Sequence, residues 1–439
     1  MITAAAFAGK TYGVYGLARS GRAAAAALIA SGATVRAWDD GEAARVAYDG
    51  ELTDLNAGLD GLDALVVSPG VPHTAPLFVA ATNLGLPVIG DIELFALARP
   101  ELPPHRVVGI TGTNGKSTTT ALIHHILVAA GVPARLGGNI GLPILSQDPL
   151  PEGGVYVLEL SSFQLELTSS LVSDVAVLLN ITPDHLDRHG TLAAYAQAKA
   201  RLFRMQVPAN DAVVADDDAI CRDIAEAVVA HLIPVAASRV LDEGVSVVEG
   251  TARVDGAVVG QQSDWPNLQG PHNAQNAAAA IAACDALGVA MSDIIAALAT
   301  YPGLPHRMER VAEKAGVLYV NDSKATNPTS AAPALAAYPS VHWIAGGLAK
   351  TDDLDALAPA FGHVRAAYLI GDAAALFGRL LDGKVPVVQA GTLDRAVALA
   401  AAAARAGDTV LLSPACASFD QFSDYEARGA AFRTAVGAL

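Results

Sequence analysis

The chain has few aromatic residues, few cysteines, few basic side chains and no long uninterrupted hydrophobic run. Aromatics make up only 5% of the 439 residues although 52% are hydrophobic, so the core must be built mainly from alanine, valine and leucine. That composition is typical of buried parallel strands and closely packed helices. A chain of this length predicts more than one domain.

The three cysteines, Cys221, Cys284 and Cys416, are widely spaced and form no C-x-x-C pair. This spacing argues against a disulfide framework and against a zinc site. The apolar run at residues 23–30 is too short to cross a membrane and predicts a buried helix. The N-terminal sequence MITAAAFAGK lacks the basic start and apolar core of a signal peptide. We therefore expect a cytoplasmic protein.

Acidic side chains outnumber basic ones by 44 to 28, which gives a net charge of −16. Such a charge argues against nucleic acid or an anionic membrane as the main partner. A locally basic site can still bind an anionic small molecule. We expect no membrane insertion and a monomeric chain.

The most informative segment, residues 107–120, reads VVGITGTNGKSTTT and predicts a strand, a glycine-rich loop and a helix. Gly112 and Gly115 let backbone N–H groups converge on an anion, and the helix adds the positive end of its dipole. Lys116 supplies a charge for the outer phosphates of a nucleotide, and the hydroxyl residues after it can bind Mg²⁺. Ile110 stands where the common phosphate-loop pattern has its first glycine, so this loop is a shorter form. The predicted ATP-binding residues of the loop are Gly112, Thr113, Asn114, Gly115, Lys116, Ser117 and Thr118.

Strand, loop and helix alternate along the chain, which predicts an α/β fold with parallel sheets. Proline-rich segments at residues 99–104 and 301–305 are typical of linkers. They divide the chain into a Rossmann-like domain (1–99), a central P-loop mononucleotide-binding domain with a parallel sheet (100–302) and a second Rossmann-like domain (303–439).

The first domain opens with a βαβ pattern. A strand at residues 11–15 and a glycine loop at 16–21 precede a second strand at 34–38, which is followed by Asp39 and Asp40. The glycine spacing differs from G-x-G-x-x-G, so the pattern indicates a dinucleotide only weakly. A nucleoside diphosphate at the same helix N-terminus, or a unit without a ligand, fits the pattern as well.

In the central domain, acidic and histidine side chains follow apolar strands. Glu159 follows residues 155–158, and Asp184 and His185 follow the next predicted strand. The carboxyl ends of parallel strands meet at one edge of a sheet, so these side chains should lie beside the phosphate loop. Carboxylate oxygens are preferred ligands of Mg²⁺. We expect His189, in the same loop, to have a structural role.

A further set of polar residues begins an alanine-rich helix with the sequence GPHNAQN. His272 and Asn273 are suited to cap its N-terminus. Asn273 and Asn276 are three residues apart, so they share a helix face and can both contact a nucleotide. Arg307, just after the second linker, can reach over phosphates from a neighbouring domain and stabilise a transferring phosphoryl group.

The third domain again has polar loops at predicted strand ends, at residues 321–327, 346–350 and 413–418. Lys324 and Lys350 lie on these loops, where they can neutralise carboxylates. The alternative for each is a solvated surface lysine.

Seven motifs together resemble the Mur ligases of peptidoglycan synthesis, and the resemblance covers nearly the whole chain. They are GTNGKSTTT, ELSSFQLE, NITPDHLDRH, GPHNAQNAAAA, PHRME, NDSKATNP and SPACASFDQF. The first five are also shared, more loosely, with folylpolyglutamate synthases. The last two resemble the D-glutamate-adding branch of the family, and the DNPR motif of diaminopimelate-adding members is absent.

The resemblance implies an ATP-dependent amide ligase that uses Mg²⁺. ATP would phosphorylate the alanine carboxylate of UDP-N-acetylmuramoyl-L-alanine, and the amine of D-glutamate would attack the resulting acyl phosphate. Phosphate and ADP would leave. The domains must close around the acyl phosphate, because water would otherwise hydrolyse it.

The resemblance also assigns roles to individual residues. Lys116, Glu159, His185 and Lys199 match catalytic positions. Ser117 and Glu159 would hold one Mg²⁺, while His185 and Lys199 would hold a second, with Lys199 carbamylated into a carboxylate-like ligand. The remaining matches to nucleotide-site positions are Asn273, Asn276, Arg307 and Asp322.

Substrate residues follow from the same motifs. Asn139 matches a contact to the muramoyl group, and the residues expected around the amino acid are Lys324, Thr326, Lys350, Ser418 and Tyr425. Tyr425 stands where phenylalanine is usual. Arg19 and Ser20 stand where the family commonly has Leu-Thr, and Asp40 stands near a usual Thr-Arg pair. We therefore interpret the basic group of the uridine site as having moved to the first loop, with Arg19 and Ser20 in contact with substrate.

Three other interpretations stay open at this point. The chain could be a ligase on the same scaffold that adds a different amino acid, such as L-glutamate. It could be a P-loop NTPase that drives a conformational switch. The first domain alone would also suit a nicotinamide-dependent dehydrogenase, although its glycine spacing argues against that.

Overall fold

The structure, a computed structural model, describes residues 1–439, with the side chain of His272 outside the description. The capping role predicted for His272 therefore lies outside the described residues. The chain divides into two compact units, residues 1–301 and 302–439. The second proline-rich segment contains this boundary, whereas the first lies inside the first unit. The division into three domains stays a prediction.

The first unit begins with a four-stranded parallel sheet. Its strands are β1 (Thr11–Tyr15), β2 (Thr34–Trp38), β3 (Ala64–Val67) and β4 (Val88–Ile89), in the order β2-β1-β3-β4. Its helices are α1 (Arg19–Ala30), α2 (Glu42–Val46), α3 (Pro76–Asn83) and α4 (Asp91–Ala98). The alanine run of α1 is largely buried, as the sequence predicts.

The same unit contains a nine-stranded sheet. Its strands are β5 (His105–Thr111), β6 (Ala134–Gly138), β7 (Gly154–Glu159), β8 (Val175–Leu178), β9 (Asp211–Ala215), β10 (His231–Ala236), β11 (Val245–Val248), β12 (Thr251–Val254) and β13 (Ala257–Gln261). The order is β13-β12-β11-β10-β9-β8-β5-β7-β6, and only the pairings that involve β12 are antiparallel. Its helices are α5 (Lys116–Ala129), α6 (Ser162–Glu166), α7 (Leu186–His189), α8 (Leu192–Arg204), α9 (Ala219–Ala225), α10 (Pro271–Ala286) and α11 (Met291–Thr300).

Both faces of the nine-stranded sheet are covered, which explains its continuous apolar strands. In β7, Val155 and Val157 pack into one core, while Tyr156 and Leu158 pack into the other. The first of these cores includes the buried alanines of α10, whose small side chains let that helix approach α5 closely. Because β5 to β9 run parallel, the loops that follow these strands emerge at one edge of the sheet.

The second unit contains a six-stranded sheet. Its strands are β14 (Glu309–Lys314), β15 (Val317–Asn321), β16 (Val341–Gly346), β17 (Val364–Ile370), β18 (Val387–Gly391) and β19 (Thr409–Leu412), in the order β14-β15-β19-β16-β17-β18. Only the pairing of β14 with β15 is antiparallel. Its helices are α12 (Pro328–Ala336), α13 (Ala374–Leu380), α14 (Leu393–Ala403) and α15 (Tyr425–Gly437).

These three sheets confirm the predicted α/β class with mainly parallel pairing. Among the described helices, none combines the length and apolarity that a bilayer crossing requires.

Candidate active site

The phosphate loop joins β5 to α5 as the sequence predicts. Gly112 has φ 145° and Gly115 has φ 85°, both in a region that favours glycine. A Cβ atom on Gly115 would lie 2.2 Å from Oδ1 of Asn276, so no larger residue fits there without movement. Helix α5 begins at Lys116, directly after the loop. Its N-terminal N–H groups therefore face the space in which a phosphate could bind.

The loop is held by Asn180, a residue that the sequence reasoning did not select. Thr113 N donates to the carbonyl oxygen of Asn180 at 2.7 Å, and Asn114 N donates to its Oδ1 at 2.8 Å. The Asn180 amide in turn donates to Gln275 Oε1 at 2.8 Å. The only sequence signal is its position at the end of β8, the strand beside β5.

Lys116 lies over its own loop. Its Nζ donates to the carbonyl oxygens of Gly112 at 2.9 Å and Thr113 at 2.8 Å. Ser117 is in the first turn of α5 and is buried. The ammonium group and the hydroxyl group predicted to meet the phosphates and Mg²⁺ are therefore both at the loop.

Glu159 ends β7, next to β5 in the sheet, and is buried with 3% of its surface exposed. Its Oε1 accepts a hydrogen bond from Asn139 Nδ2 at 3.1 Å, which brings these two predicted site residues together. Its Oε2 is buried without a hydrogen-bond partner. A bare carboxylate oxygen is costly to bury, and a hard cation would satisfy it. Glu159 therefore fits the predicted Mg²⁺ ligand.

Lys199 projects from α8 to the same loop and has only 1% of its surface exposed. Its Nζ donates to the carbonyl oxygen of Gly112 at 2.8 Å and lies 4.5 Å from the centre of the Tyr195 ring. Burial, and secondly the charge of Lys116, hold the pKa of Lys199 well below its usual range. A lysine in this setting can become a neutral amine, the form that reacts with CO₂ to give a carbamate.

His185 is the N-cap residue directly before α7 and has a left-handed conformation, with φ 51°. Its ring is 4.8 Å from that of Phe163 and 6.4 Å from that of Tyr195, measured between centroids. His185 and Lys199 therefore approach the same tyrosine. Among the described side chains, no group of three or more His, Cys, Asp or Glu residues could hold a metal ion. Any metal here would have to take further ligands from hydroxyls, substrates, water or a carbamate.

His189 has the structural role expected from the sequence. Its Nε2 lies 3.0 Å from Ser162 Oγ, and its Nδ1 lies 3.3 Å from Glu166 Oε1. Burial lowers the pKa of His189. The neighbouring Arg188 packs over the Phe163 ring at 3.9 Å. These contacts anchor the loop that carries His185 against α6.

The predicted substrate residues Arg19 and Ser20 lie in the first turn of α1. Arg19 Nη2 donates to the carbonyl oxygen of Gly141 at 2.5 Å, in the loop after β6. Asp39 Oδ2 accepts from Leu17 N at 2.6 Å. The start of α1 therefore contacts the loop after β6, which also contains Asn139, the residue predicted to contact the muramoyl group.

A further basic group, Arg45, lies on the helix that follows β2. Arg45, from α2, donates to the carbonyl oxygens of Asp39 at 2.7 Å and Asp40 at 2.8 Å. Its guanidinium lies 4.9 Å from the centre of the Trp38 ring. These contacts hold Arg45 against the end of β2.

Asn273 and Asn276 share one face of α10, as predicted. Asn276 Nδ2 donates to Asn273 Oδ1 at 3.1 Å, and Thr119 Oγ1 donates to Asn276 Oδ1 at 3.2 Å. The pair therefore lies against the start of α5.

In the second unit, Asp322 directly follows β15 and is buried. It accepts hydrogen bonds from Ser413 Oγ at 2.8 Å and Met308 N at 3.2 Å. Burial raises the pKa of Asp322 to about 7, although the charge of Arg307 opposes that rise. The two predicted nucleotide residues of this unit therefore influence each other.

The residues predicted around the amino acid come together in two pairs. Lys350 Nζ donates to Thr326 Oγ1 at 3.1 Å, and Lys324 Nζ lies 5.4 Å from the centre of the Tyr425 ring. Ser418 is buried, at the end of the loop after β19. The bond between Lys350 and Thr326 joins the loops after β15 and β16, so two lysines lie on connected loops, and two cations suit a dicarboxylate.

Comparisons with known proteins place the chain among the Mur ligases. A family model described as the Mur ligase middle domain matches residues 110–284, and one described as the Mur ligase, glutamate ligase domain matches residues 306–416. The chain is 57% identical to the UDP-N-acetylmuramoylalanine–D-glutamate ligase of Novosphingobium aromaticivorans, with 100% of this chain and 97% of the relative covered. It is 51% identical to the enzyme of the same name from Zymomonas mobilis, with both chains fully covered.

Solved structures show the same fold at much lower identity. A UDP-N-acetylmuramate–alanine ligase from Thermotoga maritima superposes with a TM-score of 0.62 at 17% identity, over 98% of this chain and 99% of the other. At that identity the likeness concerns the fold alone.

Proposed function

Since the chain belongs to the Mur ligase family, we propose that it is an ATP-dependent ligase in peptidoglycan precursor synthesis. It joins D-glutamate to the alanine carboxylate of UDP-N-acetylmuramoyl-L-alanine through a new amide bond. The observation that carries the proposal is the meeting of the phosphate loop, the bare carboxylate oxygen of Glu159 and the buried amine of Lys199 at one sheet edge.

The phosphate loop binds the triphosphate of ATP in this proposal. Backbone N–H groups at the start of α5 and the ammonium of Lys116 neutralise the phosphate charge. Asn273 and Asn276 contact the nucleotide from α10, and Arg307 and Asp322 contribute from the second unit. Because positioning and charge neutralisation dominate phosphoryl transfer, these groups supply most of the catalysis.

The reaction has two steps. The alanine carboxylate oxygen attacks the γ-phosphorus, which breaks the bond to ADP and gives an acyl phosphate. The amine of D-glutamate then attacks the acyl carbon, loses a proton and expels inorganic phosphate. Water must be excluded between the steps, because it would intercept the acyl phosphate.

Glu159 and Ser117 are the residues that would hold one Mg²⁺, and His185 would hold a second together with Lys199 once that lysine is carbamylated. The bare Oε2 of Glu159 and the low pKa of Lys199 support this assignment. Bound Mg²⁺ would neutralise charge that develops on the phosphate oxygens.

The three sheets divide the substrates in this proposal. Residues 1–99 bind the uridine nucleotide through Arg19 and Ser20, residues 100–302 bind ATP, and residues 303–439 bind the amino acid. Asn139 contacts the muramoyl group. Five residues bind D-glutamate in this proposal, namely Lys324, Thr326, Lys350, Ser418 and Tyr425. Because both large substrates are nucleotides of the cell interior, we place the reaction in the cytoplasm.

Phosphate release tests the proposal. The protein is incubated with ATP, Mg²⁺ and UDP-N-acetylmuramoyl-L-alanine, and D-glutamate, L-glutamate, L-lysine or diaminopimelate is added singly. Release that requires both the nucleotide sugar and D-glutamate is the expected result. Release with L-glutamate alone would overturn the stereochemistry, and steady release without either substrate would favour an NTPase switch.

A further inference from the structure

Arg428 is completely buried beneath the loops to which we assign the amino acid. It lies in α15 with 1% of its surface exposed, and Phe432 and Val436 of the same helix are buried with it. Burying a guanidinium is costly unless its N–H groups find acceptors. The contacts of this side chain must therefore compensate for its burial.

The guanidinium donates to two of the strand-end loops. Nε donates to Ser323 Oγ at 3.0 Å, and Nη2 donates to the carbonyl oxygens of Ser323 at 2.8 Å and Cys416 at 3.0 Å. Nη1 donates to the carbonyl oxygen of Ala417 at 3.3 Å. Three of the four acceptors are backbone carbonyls, so these bonds fix the path of the loops.

The third loop, at residues 346–350, is hydrogen-bonded to Ala417, which also accepts from Arg428. Leu348 N donates to the carbonyl oxygen of Ala417 at 2.9 Å, and Ala417 N donates back to that of Leu348 at 3.0 Å. A Cβ atom on Gly347 would lie 3.2 Å from Nη1 of Arg428. The loop at residues 346–350 therefore runs directly beside the guanidinium.

The charge of Arg428 is compensated by dipoles, since its acceptors are three carbonyls and one hydroxyl. Burial lowers the pKa of Arg428 to about 10, so the side chain stays charged at neutral pH. The loop it contacts also contains Ala415 in a left-handed conformation, with φ 57°. A non-glycine residue adopts that conformation only when its surroundings hold it there.

We propose that Arg428 is a positioning residue for the amino-acid substrate. It fixes the spacing of the three loops that carry Lys324, Lys350 and Ser418, so that they match the two carboxylates of a small dicarboxylic amino acid. The inference rests on the proposed ligase function. It concerns a residue that would not touch the substrate itself.

Arg428→Lys tests the inference, because an ammonium group keeps the charge but cannot reproduce the planar fork of donors. We expect the KM for D-glutamate to rise by at least about tenfold while kcat stays within about threefold. The KM values for ATP and the nucleotide sugar should not change. Arg433→Lys is the matched control, since Arg433 lies on the same helix but pairs with Glu309 at 2.7 Å.

An unchanged KM for D-glutamate in folded Arg428→Lys protein would overturn the inference. An equal rise in all three KM values would also overturn it, because that pattern indicates general loosening. If circular dichroism shows that Arg428→Lys does not fold, Ser323→Ala replaces it, with an expected rise of about threefold in the KM for D-glutamate alone. No rise in Ser323→Ala would contradict the inference. A wild-type protein without D-glutamate-dependent phosphate release would instead overturn the proposed function.

Discussion

Lys199 in the first unit and Arg428 in the second are both buried cations, each with 1% of its surface exposed. Both donate to backbone carbonyl oxygens of loops at strand ends. Burial lowers the pKa of Lys199 well below its usual range and that of Arg428 to about 10. A lysine whose pKa is lowered in this way gives up its proton more readily and can react as an amine, whereas arginine remains a charged fork of donors.

The two surroundings explain why each residue type is used. Lys116 lies close enough to Lys199 for its charge to lower the pKa of Lys199 further, and Lys199 donates to the Gly112 carbonyl oxygen at 2.8 Å and to Thr111 Oγ1 at 3.5 Å. Arg428 instead meets four acceptors in two loops. We therefore propose that equal burial makes Lys199 reactive in the first unit and makes Arg428 a fixed donor to loops in the second.

Of the variants considered, Lys116→Ala should lower activity most. It removes the charge that we propose meets the outer phosphates, so we expect ATP-dependent phosphate release to fall by at least about 10³-fold. It also removes the charge that lowers the pKa of Lys199. Lys10→Ala, at an exposed lysine, is the control. Retained ATP turnover in Lys116→Ala would show that the loop is not the nucleotide site.

Lys199→Arg places an arginine, the residue type of Arg428, at the buried lysine position of the first unit. Because arginine cannot become a neutral amine, we expect kcat to fall by about 10²-fold. Native mass spectrometry should find the added mass of CO₂ on wild-type protein and not on the variant. Arg204→Lys, exposed on the same helix, should behave as the wild type. A fully active Lys199→Arg enzyme would refute the need for a neutral amine.

Gly115→Ala tests the tight packing of the first-unit loop. Its Cβ would lie 2.2 Å from Asn276 Oδ1. We expect the KM for ATP to rise about tenfold and the free energy of unfolding to fall by about 1–3 kcal/mol. Gly131→Ala is a matched control, since Gly131 also has positive φ but open space around its Cβ position. It should lower stability without changing the KM for ATP, and equal KM values in both variants would disprove the packing argument.

Asp322→Asn extends the comparison from buried cations to a buried acid of the second unit. Burial raises the pKa of Asp322 to about 7, so its carboxyl favours folding at low pH and loses that contribution as the pH rises through 7. Relative to the wild type, the variant should gain up to about 4 kcal/mol of stability between pH 4 and pH 8. Urea unfolding across this range measures the change. A difference that does not vary with pH would contradict the assignment.

Local spacing was enough to predict the phosphate loop, the strand-end position of Glu159 and the shared face of Asn273 and Asn276. Each of these depends on neighbours within a few residues. The acceptors of Lys199 lie 87 or more positions away in the sequence, so its burial depends on how α8 packs against β5. Only the family resemblance identified it.

Neither local spacing nor the family resemblance pointed to Arg428. It occupies a helix that also carries exposed charged residues, and its partners are backbone carbonyls from distant loops. Asn180 was missed for a similar reason, because its side chain binds backbone groups of a neighbouring loop. Contacts to backbone leave no complementary residue in the sequence that could reveal them.

Oxygen transfer tests most directly the claim that the chain makes and consumes an acyl phosphate. UDP-N-acetylmuramoyl-L-alanine labelled with oxygen-18 in its alanine carboxylate is incubated with ATP, Mg²⁺ and D-glutamate, and the released phosphate is analysed by mass spectrometry. The account predicts one labelled oxygen in each phosphate formed. Unlabelled phosphate would show that it came from ATP by hydrolysis, which would contradict the ligase mechanism.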